Sequence, residues 1–168
     1  MAVILPTVRT FEAKRVRYDT QRAFDAVLAD LRAAVGDATH GELADAAGGS
    51  LGKDDFEHRM KTVTGDSDFM LFFELDHGAW LKAYGIRRKA LRWVFGNPVI
   101  AYTMLRHDIA SGLFAPVEML LLENEACDGM TILYDLPSSL MVIDDNRPLL
   151  DAARALDRKF AALIERVV

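Results

Sequence analysis

Two apolar, strand-like runs flank the dipeptide Asp128-Gly129, and this arrangement constrains the fold more than any other feature of the chain. Residues 117–123 read Val-Glu-Met-Leu-Leu-Leu-Glu, and residues 131–134 read Thr-Ile-Leu-Tyr. An Asp-Gly pair between such runs is a strong signal for a β-hairpin. A hairpin pairs its two strands antiparallel. The sequence therefore predicts an antiparallel or mixed sheet and not the all-parallel sheet of a strictly alternating α/β protein.

Three further segments have the composition of strands. Residues 8–18 are rich in Val, Thr, Phe and Tyr, with a change of apolar phase that suggests a bulge or twist. Residues 69–76 form a near-continuous apolar run, typical of a central strand. Residues 90–95 predict another strand, and residues 140–143 predict a short edge strand or an extended link. Residues 77–84 fit either a helical turn or the start of a crossover.

Three segments have helical spacing of their apolar residues. The first follows Thr20, a predicted N-cap, and ends before Gly36. The second is predicted to begin with Asn97 as N-cap and Pro98 in the first position, and to stop at Gly112. The third follows Asp145 or Asn146, and its apolar residues recur at i, i+3, i+4 and i+7 up to Val167.

The predicted order is therefore β-α-(insert)-β-β-α-β-β-α, in a single α+β domain over residues 1–168 with helices on one face of a mostly antiparallel sheet. The insert, residues 37–68, is rich in Gly and poor in large apolar residues. Segments 42–47 and 54–63 each predict a short helix within it. A connection of this length usually carries function or is mobile.

Charge and cysteine content narrow the function classes. The net charge of −5 disfavours binding to phosphate backbones, so we expect no nucleic-acid partner. No stretch approaches the roughly 20 apolar residues of a membrane helix, so we expect no membrane partner. The single cysteine, Cys127, allows no intrachain disulfide and fits a reducing compartment, and we expect a cytoplasmic protein.

Four ordered pieces of the sequence resemble the bacterial and archaeal family called domain of unknown function 302. They are Phe-Glu-Leu-Asp-His at 73–77, Phe-Gly-Asn-Pro at 95–98, the Pro-led strand at 115–123, and Asp-Gly at 128–129 followed by Tyr-Asp-Leu-Pro at 134–137. The resemblance covers residues 69–137 best. It implies an α+β fold with a curved sheet backed by helices, and it implies no established activity.

The chain departs from the family pattern in three ways. Family members usually pass from the first helix almost directly to the strand ending in Asp-His, so that residues 37–68 are atypical. Ala101 and Tyr102 stand where many members have a small residue and Thr after Gly-Asn-Pro. Other members carry Cys near the position of Asn97. This chain has no Cys there, so a thiol-based role at this turn is doubtful for it.

Four residues are candidates for a ligand site: Asp76, His77, Asn97 and Tyr134. His77 beside Asp76 is a familiar combination for a general base, although adjacent strand residues point to opposite faces. The structural alternative has Asp76 capping a turn and His77 bonding a carbonyl. Asn97 either presents its amide to a ligand or caps the next helix, and Tyr134 either presents its hydroxyl or packs on a helix.

Three function classes remain open. The first is a small-molecule binding or sensing domain, with a site near Asp76, His77 and the turn at residues 96–98. The second is a homodimeric protein-interaction module, and the third is an enzyme with His77 as general base. The sequence predicts no metal site, identifies no cofactor and leaves the ligand unnamed, and binding ranks first.

Overall fold

The computed structural model describes residues 5–37, 44–45, 48–50 and 52–168. Six strands in this part of the chain form one sheet in the order β1-β6-β5-β4-β3-β2. The strands are β1 (Arg15–Thr20), β2 (Gly36–Asp37), β3 (Met70–Asp76), β4 (Ala90–Gly96), β5 (Val117–Glu123) and β6 (Met130–Asp135). All neighbours pair antiparallel except β2 and β3, which are parallel. The prediction of a mostly antiparallel sheet is confirmed.

Helices connect most of the strands, and two more helices follow β6 in the sequence. They are α1 (Phe24–Ala34), α2 (Lys53–Val63), α3 (His77–Leu81), α4 (Pro98–Leu105), α5 (Pro137–Met141) and α6 (Arg147–Glu165). Two 3-10 helices, Lys82–Tyr84 and Ile109–Phe114, lie between them.

The main core lies between the sheet and α1 and α6. The amphipathic stripe of α6 contributes Leu156, Phe160 and Ile164, and α1 contributes Val27 and Leu31. Alternate strand residues meet them, and these inward residues include Trp93, Phe95, Met119, Leu121, Ile132 and Tyr134. A second, smaller cluster joins Met60 of α2 to Met70 of β3. Because burial of apolar area dominates folding, this inward face fixes which strand residues face outward.

Most predicted elements are confirmed, with corrections at their ends. The first strand runs over 15–20 and not 8–18, because its ladder with β6 ends at Asp135 and the last bond joins Leu136 N to Lys14 O. Ala23 and not Thr20 occupies the N-cap of α1, and the Thr20 hydroxyl accepts a bond from Arg22 N instead. The α-helix that begins at Pro98 ends at Leu105, and a 3-10 helix follows it.

The prediction for residues 140–143 is wrong at its start, because residues 140 and 141 belong to a helix and not to an edge strand or an extended link. Pro137 lacks an N–H and favours the first position of a helix. Helix α5 accordingly begins at Pro137 and runs to Met141. The ambiguous segment 77–84 is helical.

The hairpin between β5 and β6 is confirmed, but its loop is longer than an Asp-Gly turn. Asn124 N donates to Gly129 O, and Asp128 N donates to Asn124 Oδ1, so that residues 124–129 form the loop. A side chain at Gly129 would lie 2.2 Å from Thr20 O. The glycine is thus required by a close backbone approach.

The segment predicted as an insert contains a helix and supports an extra strand. Helix α2 confirms the helix predicted at 54–63, whereas segment 42–47 lies largely outside the described residues. Gly36 and Gly65 hold the extra strand β2 in place, because a Cβ on Gly65 would meet Ala34 O at 2.4 Å and Gly36 N at 2.5 Å. The backbones approach here more closely than any side chain would allow.

Candidate functional site

The sheet has an outer face, opposite α1 and α6, that carries a grid of charged and aliphatic side chains. Strand alternation places Arg92 of β4, Glu118 and Leu120 of β5, and Leu133 and Asp135 of β6 on this face. The side chains between them in sequence, such as Trp93 and Met119, are buried on the inner face. The outer face is therefore where polar chemistry is accessible.

His77 lies at the edge of this outer face, immediately after β3. It opens α3, and Gly78 follows it in a position where a Cβ would meet Arg88 O at 2.7 Å. This close approach ties the turn to the chain that leads into β4. The imidazole of His77 is half-buried and contacts the ring of Trp80 edge-on, with centroids 5.9 Å apart. It has no hydrogen-bond partner among the described residues.

A groove of about 280 Å³ runs beneath His77. Its charged lining is Arg15, Arg92, Glu118 and Asp135, and its apolar lining includes Leu120 and Leu133. A second depression, of about 430 Å³, lies toward Phe114 and Leu140. Both depressions are lined by Glu118 and Asp135, so they lie side by side along β5 and β6.

Two guanidinium–carboxylate pairs form the polar part of the groove. Arg15 donates from Nε and Nη2 to the two oxygens of Asp135 at 2.8 and 2.9 Å. These hydrogen bonds, together with the carboxylate charge, raise the pKa of Arg15. Arg92 donates from Nε and Nη2 to Glu118 Oε2. In both arginines Nη1 has no hydrogen-bond partner within the described part of the chain, so each retains a donor for a ligand.

Asp76 does not lie in this groove. Its Oδ1 accepts a bond from Ala79 N at 2.9 Å and caps α3. It lines a separate depression of about 410 Å³ on the other side of β3, with Phe24, Lys82 and Lys89. Asp76 and His77 thus face opposite sides of the sheet, as adjacent strand residues do.

Asn97 lies at the other end of β3 from His77. Met70 pairs with Gly96 and Asp76 pairs with Leu91, so the two candidates are separated by almost the full strand, roughly 20 Å at about 3.3 Å per residue. The Asn97 side chain is also occupied. Its Oδ1 accepts from Val99 N and its Nδ2 donates to Asp68 O, each at 2.8 Å.

Tyr134 presents its ring to the inner face, although its position in β6 lies along the groove. The ring stacks on Phe160 with centroids 4.0 Å apart, and the residue is only 4% exposed. Burial is the main cause that raises the pKa of the Tyr134 hydroxyl, and the nearby Tyr18 adds to it. The structure therefore brings only His77 of the four candidates to the groove with its side chain.

The groove contains residues that sequence reasoning missed. Arg92 belongs to a basic run that resembles a solvated strand start, and Arg15, Glu118 and Asp135 are ordinary charged residues in isolation. The available signal was their position: Arg15, Arg92 and Glu118 alternate with apolar residues in predicted strands, and Asp135 directly follows one. Alternation places them on a shared face once the strand order is known.

The described residues hold neither a metal-binding cluster nor a membrane-spanning helix. No group of three or more His, Cys, Asp or Glu there is arranged to hold a metal ion. No helix in the same part of the chain combines the length and the apolar character needed to cross a membrane.

The fold and the groove define an α+β domain with an open sheet, the helices α1 and α6 on its inner face and a polar groove on its outer face. The profile of the family described as "Domain of unknown function DUF302" matches residues 50–167. The chain belongs to this family, as the motifs at 73–77, 95–98, 115–123 and 128–137 indicated. The match begins inside the segment predicted as atypical and includes α2 and α6.

A solved structure has the same fold. The chain is similar to the crystal structure of an uncharacterised conserved DUF302 protein from Bacillus stearothermophilus, with a TM-score of 0.62 and 13% sequence identity. The similarity covers 92% of this chain and 98% of the other. No curated protein matches the sequence.

Proposed function

We propose that the protein binds a small organic anion in the groove beneath His77. The observation that carries this proposal is the half-buried imidazole over the groove, without a hydrogen-bond partner among the described residues. In the described part of the chain, no fully buried side-chain nitrogen or oxygen lacks a partner, so the ring nitrogens of His77 reach solvent and are open to a ligand. The competing structural role for His77, a bond to a nearby carbonyl, has no counterpart in the described contacts.

Unused guanidinium donors, and not a net charge, support an anionic ligand group, since Arg15 and Arg92 are balanced by Asp135 and Glu118. Nη1 of Arg15 and Nη1 of Arg92 each retain a free donor, and a carboxylate or similar group accepts such donors at short distance. The side chains of Leu120 and Leu133 line the same groove. A ligand with an anionic group beside a short apolar part would use both kinds of lining.

Catalysis by His77 as a general base is the less favoured alternative. A general base gains efficiency from a carboxylate that orients it and tunes its pKa. The Asp76 carboxylate caps α3 and lines a different depression. The groove carboxylates, Glu118 and Asp135, are already paired with arginines.

The test is a titration of isotope-labelled protein with acetate, butyrate, hexanoate and benzoate, followed through the NMR signals of its histidine rings. We expect saturable shifts at His77 and none at His107, which is exposed and lies outside the groove. His77→Ala should weaken binding at least tenfold, whereas His107→Ala should leave it unchanged. Binding that is equal in the two variants, or no saturable shift at His77 with any probe, would refute the proposal.

Native mass spectrometry of protein purified without additives provides a second readout. A retained molecule that is lost in His77→Ala and kept in His107→Ala would supply the natural ligand for identification.

A further inference from the structure

The two carboxylates of the groove retain acceptors that their arginines do not use. Arg92 donates from both Nε and Nη2 to Glu118 Oε2, so Glu118 Oε1 has no hydrogen-bond partner within the described residues. Asp135 accepts one bond from Arg15 at each oxygen, whereas an ionised carboxylate has about four lone-pair sites. The groove therefore offers free acceptors beside the free Nη1 donors of its arginines.

The formal charge of the groove is zero when His77 is neutral, because each arginine is paired with one carboxylate. A ligand with a negative charge alone meets the guanidinium groups and the carboxylates together, and the carboxylates oppose it. A ligand with charges of both signs can place each charge beside its opposite. A neutral groove with free donors and free acceptors thus favours a zwitterion over a simple anion.

One free donor and one free acceptor belong to the same ion pair and are therefore close together. Nη1 and Nη2 of Arg92 share a carbon atom, as do Oε1 and Oε2 of Glu118, and Nη2 donates to Oε2. Covalent geometry and one hydrogen bond keep Nη1 and Oε1 within roughly 7 Å of each other. A carboxylate bound to Nη1 and an ammonium bound to Oε1 can therefore sit on one carbon atom, as in an α-amino acid.

The depression beside the groove supplies an apolar neighbour for such a ligand. Its lining includes Leu113, Phe114 and Leu140, and it shares Glu118 and Asp135 with the groove. Ligand pockets usually enclose roughly 300–1,000 Å³. The groove alone, at about 280 Å³, is just below this range, whereas the depression adds about 430 Å³. The shared carboxylates lie at the boundary, where an ammonium beside an apolar side chain would need its acceptor.

We propose that the ligand of the groove is a zwitterion, namely an α-amino acid with an apolar side chain. Its carboxylate accepts from the free guanidinium donors, its ammonium donates to Glu118 Oε1, and its side chain enters the neighbouring depression. The inference rests on the proposed function, because it identifies the molecule whose anionic group occupies the same groove.

Calorimetric titration with phenylalanine and with 3-phenylpropanoate tests the ammonium, since the two compounds differ only in that group. We expect the wild type to bind phenylalanine at least tenfold more tightly. Glu118→Gln should abolish this preference and leave the affinity for 3-phenylpropanoate equal or higher, because Arg92 loses a competing partner. Glu125→Gln is the matched control: this side chain is 91% exposed, lines neither depression, and its loss should leave the preference intact.

Comparison of phenylalanine with alanine tests the place of the side chain. Leu113 and Ile109 belong to the same 3-10 helix and are both 82% exposed, but only Leu113 lines the depression. Leu113→Gln should reduce the preference for phenylalanine over alanine at least threefold, whereas Ile109→Gln should not change it. Both residues are exposed, so neither substitution disturbs the core.

The outcomes separate this inference from the proposed function. Equal binding of phenylalanine and 3-phenylpropanoate by the wild type would overturn the zwitterion and leave the anion site in place. The same conclusion follows if the preference survives in Glu118→Gln, or if that variant loses both compounds equally. Equal binding of phenylalanine and alanine would overturn the apolar side chain. If neither aromatic compound binds, the inference and the anion site both fail.

Discussion

The indole nitrogen of Trp93 donates a hydrogen bond to Glu74 Oε2 at 2.7 Å. Trp93 is fully buried on the inner face, and Glu74 pairs with it across β3 and β4. The same oxygen accepts a bond from Arg32 of α1 at 2.6 Å. This carboxylate therefore connects the central strands to the helix that covers them, and it satisfies a donor that has no access to water.

We predict that Glu74→Leu lowers the free energy of unfolding by about 1–3 kcal/mol, because the Trp93 nitrogen is then buried without a partner. Glu74→Gln keeps an acceptor and loses mainly the ion pair with Arg32, which is partly exposed and contributes little, about 0–1 kcal/mol. Urea unfolding of both variants measures the difference. Equal destabilisation by the two substitutions would mean that charge, and not the hydrogen bond, is what matters at this position.

The close approach of Gly65 to β2 gives a second prediction. A methyl group at Gly65 would lie 2.4 Å from Ala34 O and 2.5 Å from Gly36 N, both of which are backbone atoms that move only with their strands. Gly65→Ala should destabilise the fold by about 1–3 kcal/mol or more, as overpacking does. Gly48→Ala is the control, since nothing lies within 4 Å of a Cβ there. A thermal scan that shows the same midpoint for both variants would contradict the described path of β2.

Asn97 provides a test that separates stability from binding. Asn97→Ala removes the cap bond to Val99 N and the bond to Asp68 O, and should cost about 1–2 kcal/mol of stability. Asn146→Ala, which removes the cap bond to Leu149 N at the start of α6, should have an effect of similar size. Because both residues lie away from the groove, neither substitution should change the proposed carboxylate binding at His77 when it is measured well below the unfolding temperature. A selective loss of binding in Asn97→Ala would return Asn97 to the proposed ligand site.

The sequence predicts features of the fold and the candidate site that depend on neighbouring residues, and it does not predict contacts between residues far apart in the chain. The caps at Asn97 and Asn146 are local, because donor and acceptor lie within three residues. The sequence predicts the cap at Asn97 and limits the other to Asp145 or Asn146. The pairing of Arg15 with Asp135 joins residues 120 positions apart and depends on β1 lying beside β6. No local pattern specifies that neighbour, so the polar lining of the groove became visible only with the strand order.

His77 and Tyr134 show that the direction of a side chain is also hard to predict from the sequence. Each has the chemistry of a site residue, but its side-chain direction depends on strand phase, which one residue of slip reverses. The phase of β6 places the Tyr134 ring against Phe160, whereas the end of β3 leaves His77 at the groove. The sequence singled out both residues, and only the strand register separated Tyr134, a core residue, from His77 at the groove.

The buried hydroxyl of Tyr134 yields a prediction about alkaline pH. Burial raises its pKa in the folded protein above the ordinary value of 10.0. Above about pH 10 the unfolded chain loses the tyrosine proton while the folded chain retains it, so the unfolded state gains stability as the pH rises. The contribution of Tyr134 to stability is therefore fully present below pH 10 and falls progressively above it.

Tyr134→Phe keeps the stacking on Phe160 and removes the ionisable group, so this variant should lose less stability than the wild type between about pH 9.5 and 11. Tyr84→Phe, at a position that is 79% exposed, should follow the wild type over the same range. Urea midpoints measured at half-unit pH steps give the three curves. Parallel curves for all three proteins would show that Tyr134 ionises as readily in the folded state as in the unfolded state, and would contradict its burial beneath α6.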